Sequence, residues 1–400
     1  MTTDERPTPV PRLTGIVDTV RTEGVGWVWR RLRYRTPATS TGRVVHGWLR
    51  RGLGAALAAR RALGRRPPVL ADRDVLYAFY DLQVAPISYD AAWFVALADR
   101  ERRRQGLAAV HFVGVPGKLD GLRAERSAYE AAVDLENRRW RLHHVVIPLF
   151  GLLSATAGFT LLPSREAAGE LRRAAGARVY PRHYEPALPV GHHPSELIEA
   201  ARAGEQGLAV LESPVQAQRF VDVWLAPRLR GRRLVTITLR DYAFMTDRNS
   251  DTRAWTTFAR RLPRDRYLPV FVPDTERTLD PLPDELRDLA VLPEAAWSVP
   301  LRLALYERAF LNLGVNNGPF LMGILAARPR LLAFKMVTPT VPQTTEDFMR
   351  RLGFEIGGQL SFATPWQRLV WEDDRLEVIE REFLRMVAQI EAAPPVPPVP

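Results

Sequence analysis

From residue 74 onward the sequence predicts an α/β fold built from two Rossmann-like domains, and three observations carry that prediction. Short apolar runs alternate with helical patterns, as parallel sheets with helices on both faces require. The alternation falls into two series of comparable length, joined near residues 205–232. The 400 residues, 46% hydrophobic and 25% charged, suffice for two such cores.

In the first series, residues 75–80 read as a strand, 89–105 as a helix and 108–115 as a strand. A polar helix follows near 123–138, then two apolar runs, 145–153 and 159–162, both read as buried strands. A helix near 165–174, a short strand at 178–180 and a helix at 195–203 complete it. After a helix at 215–227, the second series places strands at 234–239, 267–272, 289–292, 310–315 and 330–334. Helices near 252–261, 300–308 and 319–327 lie between them, and 345–352 follows. Residues 366–390 read as one long amphipathic helix crossing back over the first domain. The expected organisation is a basic arm (1–72), a first domain (73–228), a second domain (229–365), the returning helix (366–391) and a proline-rich tail (392–400). Two stretches without Asp, Glu, Lys or Arg, 145–163 and 309–327, are long enough to raise a membrane span. Internal Gly, Pro, Ser and Asn residues break both into shorter elements.

Composition narrows the chemistry. With no cysteine, disulfide scaffolds, Cys-zinc sites, iron–sulfur clusters and thiol catalysis are excluded. Net charge is +11 and only Lys118 and Lys335 are lysines. Residues 1–70 hold 14 arginines against four acids, so nearly all the excess belongs to the arm and nucleic acid is not the expected partner of the rest. The arm lacks the apolar run of a secretory signal. Its Trp27, Trp29 and Trp48 among arginines, followed by Leu49, Leu53, Leu57 and Leu63 at helical spacing, fit an anionic membrane surface. A loosely packed arm and an RNA contact are the alternatives.

Ligands of open parallel sheets sit beyond the carboxyl ends of the strands, so the loops there supply the candidates. Arg240 and Arg248 flank the loop after 234–239 and have the fork geometry to grip a diphosphate; a capping loop with surface ion pairs is the structural alternative. Asn316, Asn317 and Gly318 follow the 310–315 strand and precede Pro319, which presents free amides at a helix start. Gly318 would let a phosphate approach the backbone, although a tight strand-to-helix turn has the same signature. Lys335 ends the next strand in a chain that otherwise uses arginine, and an ammonium beside a phosphate is one reason for it. Asp274, Glu276 and Glu307 are candidates for ribose hydroxyls, for orienting arginines, or for plain surface charge. In the first series, Asp81 and Asp90 are candidate general bases, with Asp90 equally placed to favour a helix dipole. His192-His193 lacks a third ligand at fixed spacing and reads as loop. Asp72-Arg73-Asp74 precedes a strand, the wrong end for a metal–nucleotide site. No Gly-x-Gly-x-x-Gly or Walker lysine is present.

The stretch 234–258 resembles the start of the C-terminal domain of bacterial GT-B glycosyltransferases of surface-polysaccharide clusters. Residues 312–319 are similar to the strand–Gly/Asn–Gly-Pro–helix element of heptosyltransferase-like members; 77–94 and 138–165 fit the acceptor-side domain loosely. The resemblance implies GT-B architecture, a nucleotide-sugar donor in the second domain, a glycan or lipid-linked acceptor in the first and no divalent metal; no cofactor is expected, and the basic arm points to a cytoplasmic enzyme at the inner leaflet. It matches no single catalytic base. A nucleotide-sugar epimerase or hydrolase, and a non-enzymatic membrane- or RNA-binding protein, are the competing expectations.

Overall fold

The computed structural model describes residues 74–393 apart from 119, 126 and 279, without the side chains of Ser127 and Ala128. The arm expected to bind membrane therefore lies wholly outside the described residues, as does the proline-rich tail save for Ala392 and Ala393.

The chain forms β1 (Val75–Asp81), α1 (Ala91–Arg104), β2 (Ala109–Val115), α2 (Ser127–Ala132), α3 (Leu135–Arg141), α4 (Ile147–Phe150), β3 (Thr156–Leu161), α5 (Arg165–Ala175), β4 (Val179–Tyr180) and α6 (Ser195–Arg202). These four strands make one parallel sheet in the order β3-β2-β1-β4. The second half continues with α7 (Val215–Leu229), β5 (Arg233–Thr238), α8 (Thr252–Arg261), β6 (Tyr267–Val272), β7 (Ala290–Val291), α9 (Glu294–Trp297), α10 (Val299–Arg308), β8 (Leu311–Val315), α11 (Gly318–Ile324), β9 (Leu331–Phe334), α12 (Glu346–Leu352), β10 (Gln367–Leu369) and α13 (Leu376–Ala392). Its six strands are parallel in the order β10-β9-β8-β5-β6-β7. Two parallel sheets with covering helices are the α/β, two-Rossmann-domain fold that the alternation predicts.

Three expectations need correction. The apolar run 145–153 is helical: a π-helical turn (Leu142–Val146) leads into α4, and the run buries Val145, Val146, Leu149 and Phe150 against the first sheet. A short all-apolar run fits a buried helix as well as a strand. The expected helix 366–390 opens instead as strand β10, and α13 begins only at Leu376. That helix does not cross back. It buries Val378, Ile379, Phe383 and Met386 in the second domain's core with Trp255 and Phe258 of α8. None of the described helices is long and apolar enough to cross a membrane.

The two sheets present their carboxyl ends to each other. Tyr89, after β1, packs on Gly318, after β8, so closely that a Cβ there would stand 2.9 Å from the tyrosine Cβ. Glycine at 318 therefore serves contact between the domains. Val299, Leu303, Leu321 and Met322 of the second domain share one apolar cluster with Tyr80, Phe94 and Phe150 of the first. Burial of that size fixes the mutual orientation of the two lobes at the site.

Candidate active site between the two sheets

The β5–α8 loop is held open around one side chain. Arg240 is buried, and its guanidinium donates to the carbonyls of Phe244 (2.8 Å) and Met245 (3.0 Å) and to Asn249 Oδ1. Burial lowers its pKa, with Asp274, Tyr242 and Asp241 opposing. Arg240 thus spends its donors on the loop itself, which corrects its reading as a direct diphosphate grip. Lys335, expected beside a phosphate, is committed as well. Its ammonium donates to the Asn249 carbonyl (3.2 Å) and faces the buried carboxylate of Asp374 at 3.8 Å. Asp374 in turn accepts from Asp251 N and Trp255 Nε1, both at 2.8 Å. Both cations therefore converge on Asn249, Arg240 on its side-chain oxygen and Lys335 on its backbone carbonyl. Met245 and Lys335 have left-handed backbone angles, φ 59° and 55°, which non-glycine residues adopt only when their surroundings enforce it.

Arg248, beside Asn249, is different. Its Nη2 donates to the Asn316 carbonyl at 3.0 Å and its Nη1 touches Met245 sulfur at 3.9 Å, and among the described residues it forms no ion pair. Burial, then the field of Arg240, push its pKa down to about 10, while Asp90 of the first domain acts the other way. A desolvated guanidinium without a bonded carboxylate is costly to fold. It is retained where loops from both sheets meet.

The β8–α11 turn supports this site from below. Asn317 caps α11 by accepting from Phe320 N at 3.1 Å. Asn316 bridges to the neighbouring loop, with its amide on Phe334 O (2.8 Å) and its Nδ2 on Met336 O (3.1 Å). The carbonyl of Asn316 faces Arg248, so this residue orients the guanidinium.

The two candidate bases separate clearly. Asp81 is buried, gripped by both Arg165 nitrogens (2.9 and 2.8 Å), and accepts from Tyr184 Oη (2.6 Å) and Gln83 N (3.0 Å). Every lone pair is occupied, so Asp81 is structural and not the base. Asp90 is exposed at the start of α1 and takes one hydrogen bond from Ser88 Oγ, 3.0 Å to Oδ2. Its carbonyl accepts from His192 Nε2 at 3.0 Å, which places that histidine as a loop anchor. A carboxylate with Oδ1 open among the described residues, near enough for its field to reach Arg248, is competent to accept a proton.

The three expected nucleoside ligands have other duties. Asp274 Oδ1 and Oδ2 cap the β6 loop through Glu276 N and Asp241 N, each at 3.1 Å, and burial raises its pKa. Glu276 pairs across the domain boundary with Arg141 of α3, aided by Asn137 Nδ2 at 3.2 Å. Glu307 sits away from the cleft and accepts from Ser213 N (3.1 Å) and Ser213 Oγ at the start of α7.

Sequence reasoning missed Arg302, Arg141 and Tyr242. Arg302 is 1% exposed; its Nε donates to Ala295 O (2.7 Å), its Nη2 has no partner, and its guanidinium lies 5.9 Å from the Tyr89 ring centre. It reads in sequence as an ordinary helical arginine. Arg141 lies over the Tyr242 ring (5.4 Å), which Arg240 faces at 5.5 Å. Only the packing of α3 on the second domain reveals that pairing.

Compared with solved structures, the chain is similar to a glycosyl transferase family 9 protein from Veillonella parvula (9% identity, 80% of this chain and 100% of that one, TM-score 0.49). It is also similar to the ADP-heptose LPS heptosyltransferase II of E. coli (9%, 80% and 100%, TM-score 0.44). A third is the UDP-GlcNAc 2-epimerase of Neisseria meningitidis bound to UDP-GlcNAc (10%, 79% and 92%, TM-score 0.34). No family model and no curated protein matches the sequence.

Proposed function

We propose that this chain is a glycosyltransferase of GT-B architecture. It takes a nucleotide-diphosphate sugar against the second domain and a glycan or lipid-linked acceptor against the first. The observation that carries the reading is Arg248 itself, desolvated, bonded to the Asn316 carbonyl and without a bonded carboxylate among the described residues, in the field of the exposed Asp90 of the opposite domain. A cation of this kind suits a diphosphate whose charge grows as the glycosidic bond breaks. Arg240, Lys335 and Asn316 hold it in place.

In the proposed step the acceptor hydroxyl oxygen bonds to the anomeric carbon. The bond from that carbon to the diphosphate oxygen breaks, and its electron pair leaves with the nucleoside diphosphate beside Arg248. Asp90 takes the hydroxyl proton. The basic arm, residues 1–70, is proposed to keep the enzyme at an anionic inner-leaflet surface where a lipid-linked acceptor would lie.

The test is sugar transfer by the full chain from UDP-, GDP-, ADP-, CMP- and dTDP-sugars to an envelope glycolipid fraction. Acceptor-dependent release of the nucleotide, lost in Asp90→Asn, is expected. Equal donor turnover without acceptor would instead identify an epimerase or hydrolase, and no turnover would favour a binding protein.

A further inference from the structure

The linker helix α7 buries Ala217, Val221 and Leu225 against the second domain, with Trp224 and Leu229 packed at the edge of the same cluster. Its solvent side carries a second apolar stripe: Phe220 (42% exposed), Val223 (76%), the half-buried Trp224 and the exposed Pro227. These stand at i, i+3, i+4 and i+7, the spacing of one continuous helical face. An ordinary surface helix would place charge there. Instead the charge rims the stripe. Arg219 flanks it, Arg228 stacks over the Trp224 ring at 4.3 Å, and Arg230 closes its end. None of the three forms an ion pair among the described residues, while the helix's one acid, Asp222, is neutralised by Arg308 at 2.7 and 2.9 Å.

We infer that α7 is a docking surface for an anionic lipid headgroup layer, with Phe220 and Val223 entering the acyl boundary, Trp224 staying at headgroup level under Arg228, and the arginines pairing with phosphates. Charge selects this occupant. The arm, residues 1–70, is itself strongly basic, and a second copy would bring the same arginines, so both are repelled from the stripe. A convex ridge of Phe, Val and Trp with guanidinium at its edge matches the interfacial zone of a bilayer. This surface stands apart from the proposed cleft chemistry, and its test is read without turnover.

Because the chain has no cysteine, Val223→Cys in the full chain accepts one environment-sensitive fluorophore. Asp347→Cys on α12, a helix packed over β9 and β10, serves as the control. Phosphatidylcholine vesicles with about a third phosphatidylglycerol should shift the position-223 emission to the blue and leave position 347 unchanged. Arg219→Glu with Arg230→Glu should weaken that response at least tenfold, about what two lost headgroup contacts give. A water-like signal at 223 while the protein is vesicle-bound would overturn the inference. So would an equal shift on purely neutral vesicles, or the same shift from soluble polyglutamate, which would name an acidic protein partner.

Discussion

Replacing Arg248 with methionine keeps the length and apolar stem of the side chain and removes its charge. Burial and the neighbouring Arg240 hold this guanidinium near 10, well below where an arginine normally titrates. At about 1.4 kcal/mol per pH unit, keeping it charged inside the fold costs on the order of 3 kcal/mol. The sign follows from the direction: a cation whose folded value lies below its unfolded value destabilises the fold at any pH where it stays protonated. The variant loses the bond to the Asn316 carbonyl (3.0 Å), worth about 1 kcal/mol. The net expectation is a gain of about 2 kcal/mol, read as a melting temperature roughly 4–8 °C higher for a domain of this size. The same change should weaken nucleoside diphosphate binding by about ten- to a hundredfold, the loss of one charge-assisted contact to phosphate. Thermal melts with and without nucleotide read both quantities. A variant less stable than the wild type, with nucleotide affinity unchanged, would show that Arg248 is a structural residue.

Asp90→Asn should lower transfer by about 10²–10⁴-fold with little change in melting temperature, as for a general base; activity within a few fold of wild type sinks that role. Asp81→Asn should instead cost about 3–5 kcal/mol of stability, because it breaks a pair whose carboxylate is fully buried and leaves the half-buried Arg165 guanidinium without its counter-charge, and denaturant titration separates the two cases. A double-mutant cycle of Arg141→Met and Glu276→Gln should return a coupling of about 0.5–3 kcal/mol across the domain boundary; strict additivity would mean the pair does not hold the lobes together. Burial raises the Glu101 carboxyl, but hydrogen bonds from Arg104, Gln105 and Arg182 outweigh it and bring the group below its ordinary 4.5. Its stabilisation is therefore full above pH 4.5 and fades as the pH falls below that value. The melting difference between wild type and Glu101→Gln should close over that range, and a difference that widens in acid would reverse the assignment.

The parallel sheets are legible in the sequence because β1, β2 and β6 are short, almost wholly apolar runs bounded by polar turns, and β5 and β8 keep that reading despite Thr236, Thr238 and Asn312. The ends of the chain's pattern are harder. β10 is three residues long and looks like the first turn of the amphipathic α13, and α4 is apolar on every side. At the site, the loops after β5, β8 and β9 stand out through clustered Arg, Asn, Gly and Lys residues, and they do meet around Asn249 and Asn316. What local pattern does not carry is each side chain's partner. Asp81 finds Arg165 eighty-four positions away, and Glu276 finds Arg141 across the domain boundary. Arg302 has no local mark at all, since its burial depends on Tyr89 arriving from the other sheet.

The most direct measurement is the melting temperature of the full chain against a panel of UDP, GDP, ADP, CMP and dTDP, repeated in Arg248→Met. One base family should raise the wild-type melt by several degrees near 100 times its dissociation constant, where linkage supplies about 2.7 kcal/mol, and the variant should lose most of that rise. No shift with any nucleotide at millimolar concentration, or an equal shift in both proteins, would contradict it.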